Sequence, residues 1–419
     1  GRAWAGTRRP SSFPSGMTSP SRVLVLGDFP VGYANGIGET LSNLLATWDP
    51  GTVVQAYPAH LSPSPRWTGA GDLRFEAPRP PDGWSGWSAA CYRPVLKVRQ
   101  VAARRRLVAG AARLVQQHGV QAVLTYPVTP WVLSAAVHLR RALPKVRFVF
   151  YVMDDWEGLH TCFGLPFTPQ RRAALAEMVD TADARFACSD VMKRDYEQRF
   201  GTGWEVLHKG VPIATPAAGP AWQGFTDILY TGGMNMFRFD AVLAFAEGLA
   251  RFRRQSGRPV TLTLLGPAPD REYSAGLAPY DFIRTEPWVD NDACQRRMAR
   301  ADLLYLPLSF RDQLARIANL AMPTKLSEYL ASGRPTIFHV PALSAVQDLA
   351  ARAGLPLTIN SVDPQDVCDL LQRLGRDGLD LVDYRLRAQR LLREEFDQDV
   401  LRRRLAQSLF PGERVLGRA

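Results

Sequence analysis

Short runs rich in Val, Leu, Ile and Phe alternate along this chain with stretches of helical period, and that alternation limits the fold more than any other feature. From Arg22 the runs RVLVLGDFP, AVLTYPV, RFVFYVM and ARFACS are separated by helical segments such as GETLSNLLATW. Strand-like runs interleaved with helices predict parallel sheets with crossover helices. The pattern stops at a Pro-, Gly- and Ala-rich run over 210–224 and then restarts. The second series is DILYTG, a helix over 239–255, VTLTLLG, DFIRTEP, a helix over 292–300, DLLYLPL, a helix over 325–332 and PTIFHV. The expected architecture is α/β, with a half over 17–212, a linker over 213–224 and a half over 225–385. Ligands of such halves meet strand C-termini and helix N-termini, which puts the expected site in the cleft between them.

At 419 residues, 46% hydrophobic and 22% charged, the composition is that of a globular protein and excludes disordered and fibrous classes. No run reaches the ~20 apolar residues that span a bilayer. Residues 1–16 hold Trp4, three Arg and two Pro with no continuous apolar segment, and read as a disordered leader rather than a secretory signal. The five cysteines, Cys91, Cys162, Cys188, Cys294 and Cys368, stand singly. That spacing argues against a disulfide framework or zinc ribbon and for a reducing cytoplasm.

The net charge of +11 is concentrated. Between Gly83 and Met153 lie eleven Lys or Arg and no Asp or Glu. Within this stretch, 95–117 reads as a helix with Val98, Val101, Leu107, Val108, Leu114 and Val115 on an apolar side and Arg99, Arg106 and Arg113 on another. Such a stripe either solvates a core-packed helix or meets an anionic partner, a phosphorylated acceptor or the inner membrane surface. No reader motif accompanies it, so nucleic acid is not the expected partner.

Four segments carry candidate chemistry. GDFPVGYANGIGETL places Gly36 and Gly38 at a strand-to-helix junction, where bare backbone lets N–H groups approach an anion. ILYTGGMNMFRFDAV repeats the arrangement with Gly232 and Gly233, and brings Arg238 within reach of a phosphate held there. In MPTKLSEYLASGRPTI, Pro323 and Thr324 start a helix whose Lys325 and Glu328 share one face. An ammonium suits a diphosphate and a carboxylate suits ribose hydroxyls; the alternative is a Thr-capped helix with a surface ion pair. FVFYVMDDWEGLH ends a strand with Asp154 and Asp155, near His160. These acids either orient an acceptor or sugar hydroxyl, or cap the next helix. His60, His118, His138, His208 and His339 show no ligand spacing and are expected to be structural.

Taken in order, Gly36-Ile37-Gly38, RFACSDVMKRDYEQRFG with VLHKGVP, TGGMNMFR, LTLLGP, ARADLLYLPLS and PTKLSEYLASGRPTI resemble the GT-B glycosyltransferases of the family 4 type (glycosyl transferases group 1) over roughly Ser21–Phe410. The resemblance implies two Rossmann-like domains facing across a cleft and transfer of a sugar, with retention, from a nucleotide-diphospho-sugar to a glycan, lipid-linked or small-molecule acceptor. It implies neither metal nor cofactor. It puts Arg238 and Lys325 on the diphosphate and Glu328 on the ribose. Glu286-Pro287-Trp288 would lie beside the base, and Gly36, Gly38, Gly232, Gly233, Thr324 and Leu326 against the donor. A closing helix over 386–411 would cross back onto the first domain.

The chain also departs from the pattern. Many members carry a Glu eight residues before the ribose Glu, where this chain has Leu320; the hexose contacts then fall to 309–322, through Arg311, Asp312 or backbone amides. Phe239 follows the basic residue in place of a small one, and the usual Pro-Asn-Gly reads His208-Lys209-Gly210. A sugar-nucleotide epimerase and an idle partner subunit are the alternative functions.

Overall fold

The computed structural model describes residues 21–68, 71–76, 86–164, 166–201, 203–213 and 222–412. The 1–16 leader and residues 214–221 of the expected linker lie outside them. The first sheet has seven strands in the order β3-β2-β1-β4-β5-β6-β7: β1 (Val23–Gly27), β2 (Val53–Pro58), β3 (Leu73–Phe75), β4 (Ala122–Tyr126), β5 (Arg147–Val152), β6 (Ala184–Ala187) and β7 (Trp204–Val206). The second has six in the order β10-β9-β8-β11-β12-β13: β8 (Asp227–Thr231), β9 (Thr261–Leu265), β10 (Ile283–Glu286), β11 (Leu303–Pro307), β12 (Thr336–His339) and β13 (Thr358–Ile359). All pairings are parallel, with Val23 opposite Val53 on one side and Ala122 on the other.

Helices cover both faces of each sheet, so β1, β2, β4 and β11 are buried along their whole length; β1 and β11 read as continuous apolar runs, while β2 and β4 each bury one polar residue, Gln55 and Thr125. Strand order reverses between β1 and β4 and again between β8 and β11. The turns leaving those strands diverge and open a crevice in each half.

The two halves are joined twice, side by side. The chain leaves β7 through His208–Val211, and it returns at Phe396–Gln398, where Val211 donates to Phe396 O (2.9 Å) and Gln398 donates to Val211 O (3.2 Å). The expected crossing helix over 386–411 is two helices. Leu381–Glu395 packs Tyr384, Leu391 and Leu392 into the second domain, whereas Gln398–Leu409 packs Leu401, Leu405 and Leu409 into the first. Asp397 breaks the pattern by capping the second helix, its carboxylate accepting from Asp399 N at 2.8 Å. The basic helix runs over Gly86–His118, longer than expected, and Val98 is 70% exposed rather than on its buried side.

Gly210 sits under the returning strand, where an added Cβ would lie 2.5 Å from Gln398 Cα, a backbone atom that cannot yield locally. Gly210→Ala is therefore expected to cost about 1–3 kcal/mol in urea unfolding. Gly233→Ala, which would meet nothing within 4 Å, is expected to change stability by less than about 0.5 kcal/mol.

Candidate functional site

The first wall of the cleft is built at the end of β1. Asp28 is buried there and accepts from Val128 N (2.6 Å), Thr129 N (2.9 Å) and Thr129 Oγ1 (2.6 Å), tying the turn after β1 to the turn after β4. Burial raises its carboxyl pKa, and those three donors offset part of the shift. The helix Gly36–Leu44 then starts on Asn35, whose Oδ1 accepts from Gly38 N at 2.8 Å. Gly38 packs against Tyr33, whose backbone N would lie 2.6 Å from an added Cβ. A Cβ on Gly36 would sit 3.3 Å from Thr324 Cγ2, so the two domains abut at this glycine.

Facing it, the helix Lys325–Ala331 presents Lys325 and Glu328, with Lys325 Nζ 3.0 Å from Glu328 Oε2. Two further charged groups complete the cluster: Lys209 Nζ lies 2.5 Å from Glu328 Oε1 and 3.1 Å from Glu39 Oε2. Glu328 is only 5% exposed. Burial alone would raise its pKa, but the Lys209 and Lys325 charges overcome this and hold it below the usual carboxylate range. Burial likewise works against the Lys209 ammonium, and Glu328 and Glu39 reverse that to raise its pKa. Sequence reading missed Lys209 as a site residue. The signal was available in the His208-Lys209-Gly210 run, a cation at a position between two domains.

Thr324 lines the cleft, but its side chain caps nothing. Leu326 does not fit its expected donor role: its side chain is buried in the second domain's core, and its N–H is engaged by Pro323 O at 3.0 Å. Arg238 also lines the cleft, with Nη1 donating to Asn235 Oδ1 at 3.0 Å. Gly232 and Gly233 lie in the turn after β8, where Gly232 has φ +139° and Gly233 O accepts from the Tyr230 hydroxyl at 3.0 Å. Pro287 is exposed and Trp288 is 57% exposed, outside the residues lining the cavity, while Glu286 pairs with Arg297 at 3.1 Å. Arg311 and Asp312 are exposed and are not among the residues lining the cavity. Leu320 is buried against the first domain, and its carbonyl accepts from Ser189 Oγ at 2.6 Å.

The two neighbouring aspartates diverge. Asp155 is buried, caps the helix Trp156–Cys162 through Gly158 N (2.6 Å), and receives both Arg316 Nε (2.9 Å) and Nη2 (3.1 Å) from the other domain. Arg316 also reaches Asp195 at 2.8 Å. Asp155 thus serves a cap and an interdomain clasp, and no substrate-facing surface remains to it. Asp154 instead lines the cavity. Burial, and then the Asp155 charge, raise its pKa to about 6. His160 is buried with Nδ1 2.6 Å from Trp156 O, and lies off the cavity.

Gly36, Asp154, Lys209, Arg238 and Thr324 are among the residues that enclose about 450 Å³ between the domains, whereas Gly38, Gly232, Gly233, Lys325 and Glu328 lie outside that lining. His208 closes one side, its Nδ1 2.8 Å from Cys188 O and its ring 4.8 Å from that of Phe396. No family model and no curated protein matches the sequence. Among solved structures, the fold is similar to Anabaena HepE in complex with UDP (TM-score 0.64, 13% identity, 93% of this chain and 99% of that one). It is similar to trehalose-6-phosphate synthase OtsA (TM-score 0.65, 12% identity, 93% and 99%). It also resembles sucrose-phosphate synthase from Thermosynechococcus elongatus (TM-score 0.62, 15% identity, 92% and 98%). The chain therefore has the two-domain GT-B fold.

Burial lowers the His208 pKa to about 4. The unfolded chain takes up that proton near pH 6.5, so this group removes stability as pH falls from about 6.5 to about 4. His208→Phe cannot titrate, and its melting-temperature deficit against wild type is expected to shrink over that window. A deficit independent of pH would refute the assignment. Arg316→Ala strips two bonds from buried Asp155 but leaves Arg199 at 3.5 Å. Since Arg316 itself is about a third exposed, a loss of about 1–3 kcal/mol is expected in denaturant titration.

Proposed function

We propose that this chain is a glycosyltransferase that moves a sugar, with retention, from a nucleoside diphospho-sugar to an acceptor hydroxyl. The observation that carries the reading is a cavity shared by the two domains of a GT-B fold and lined by Lys209 and Arg238, with Lys209 joined through Glu328 to Lys325 just behind the lining. A nucleotide-sugar donor is supported by HepE, whose structures hold UDP and UDP-glucose. In this reading Lys325 and Arg238 face the diphosphate, Glu328 receives the ribose hydroxyls, and Lys209 keeps Glu328 ionised until the donor enters. Asp154 accepts a hydrogen bond from the acceptor hydroxyl and orients it. The acceptor oxygen bonds to the anomeric carbon on the face the diphosphate leaves. The carbon–oxygen bond to the diphosphate breaks with its electron pair going to the diphosphate, and the hydroxyl proton ends on a diphosphate oxygen. The cations stabilise the charge that develops there, and the reading calls for no metal or cofactor.

Lys325→Ala is expected to slow nucleotide release from the donor by about 10²–10³-fold. Turnover equal to wild type would overturn the phosphate assignment. Sugar leaving the nucleotide without acceptor would favour the epimerase, and no nucleotide binding at millimolar ligand the idle subunit.

We propose further that the basic helix touches an anionic membrane surface. Val95 and Val98 are 50% and 70% exposed beside Lys97, and Arg105, Arg106 and Arg113 are exposed along the same helix. Cosedimentation with anionic liposomes is expected to weaken steeply with salt and to drop in Val98→Asp. Binding indifferent to salt would remove this contact.

A further inference from the structure

We infer that the acceptor taken by this cavity carries an apolar body next to its reacting hydroxyl and is not a phosphorylated sugar. This rests on the donor reading above. The cavity has two unlike sides. Its ionised side is held by Lys209 and Arg238, the cations among the described residues that line it. Both are already committed to that side: Lys209 bridges Glu39 and Glu328, and Arg238 bonds Asn235.

The other side gathers around Asp154, the only acid lining the cavity among the described residues, and is made of Val128, Met153, Leu159, Phe163, Leu314 and Ile317. Leu159 and Phe163 come from the helix Trp156–Cys162 and the turn after it. Leu314 and Ile317 come from the opposite domain, which packs so closely here that a Cβ on Gly158 would lie 2.9 Å from Ile317 Cγ1. Arg316, beside Ile317, is spent on Asp155 and Asp195, and Arg199 pairs with Asp155, Asp195 and Glu157. A phosphate entering this side would find a carboxylate and hydrocarbon, with no cation to replace its water.

An apolar group fits the same surface. Phe163 leaves 60% of its surface in water, and covering such a side chain with a ring or alkyl chain removes apolar area from water on both partners. One convergent polar group, Asp154, would then fix the hydroxyl while hydrocarbon contacts hold the rest.

Calorimetric titration of the full chain with phenyl β-D-glucopyranoside, methyl β-D-glucopyranoside and glucose 6-phosphate, each with and without saturating UDP, tests this. The phenyl glucoside is expected to bind at least about tenfold tighter than either of the others. Phe163→Ser and Leu159→Asn are expected to weaken it about fivefold or more without changing methyl glucoside binding. Position 163 is exposed enough to accept serine, which an unchanged melting temperature verifies. Equal affinity for the phenyl and methyl glucosides, no measurable phenyl glucoside binding, preference for glucose 6-phosphate, or variants without effect would each overturn the inference. Failure of UDP to bind would instead overturn the donor reading, and the UDP-free titrations would still decide this one.

Discussion

Glu328 is the carboxylate around which the two domains close. A charge that deep in protein is costly unless opposite charge meets it, and only one of its two ammonium partners comes from its own domain. Lys325 is three residues along the same helix, whereas Lys209 arrives from the end of the first domain's sheet and carries Glu39 with it. Satisfying one buried carboxylate therefore brings together the start of the Gly36–Leu44 helix, the interdomain crossing and the Lys325–Ala331 helix. The cavity is what lies between them.

Two further contacts keep that geometry from depending on a single ion cluster. Arg316 reaches across to buried Asp155 and to Asp195. The outgoing and returning chain segments pair backbone to backbone at Val211 and Phe396–Gln398. The hinge is narrow and lies beside the cavity, since His208, Lys209 and Phe396 line both. Any rotation about it moves Lys209 relative to Leu314 and Ile317 of the opposite domain, so the shape of the cavity depends on the hinge.

The alternation of strands and helices, the break near residue 210 and the Lys325–Glu328 face were legible because each is a local pattern: period, punctuation and spacing. The short strands β3, β7 and β13 were not, because two or three residues carry no period, and β2 was passed over because Gln55 interrupts its apolar run. The split at Asp397 was hidden by a charged helical pattern that continues through it; only a carboxylate bonding two downstream N–H groups shows the cap. Asp154 and Asp155 were read as a pair. Both lie past the end of β5, where Asp155 is taken up as the cap of the helix Trp156–Cys162 at the domain interface and Asp154, one residue earlier, lines the cavity. Leu326 was drawn into the donor set by its neighbours, although a residue one step along a helix faces a different direction.

The sequence by itself determined two parallel α/β domains, because burial of both sheet faces demands continuous apolar strands and amphipathic crossovers. It also determined which short segments hold unusual chemistry. Only the tertiary structure decided which charges meet: Lys209 with Glu328, and Arg316 with Asp155, are separated by more than a hundred residues. Ion pairing depends on distances of a few ångströms, and those are set when two domains pack, not by spacing along the chain.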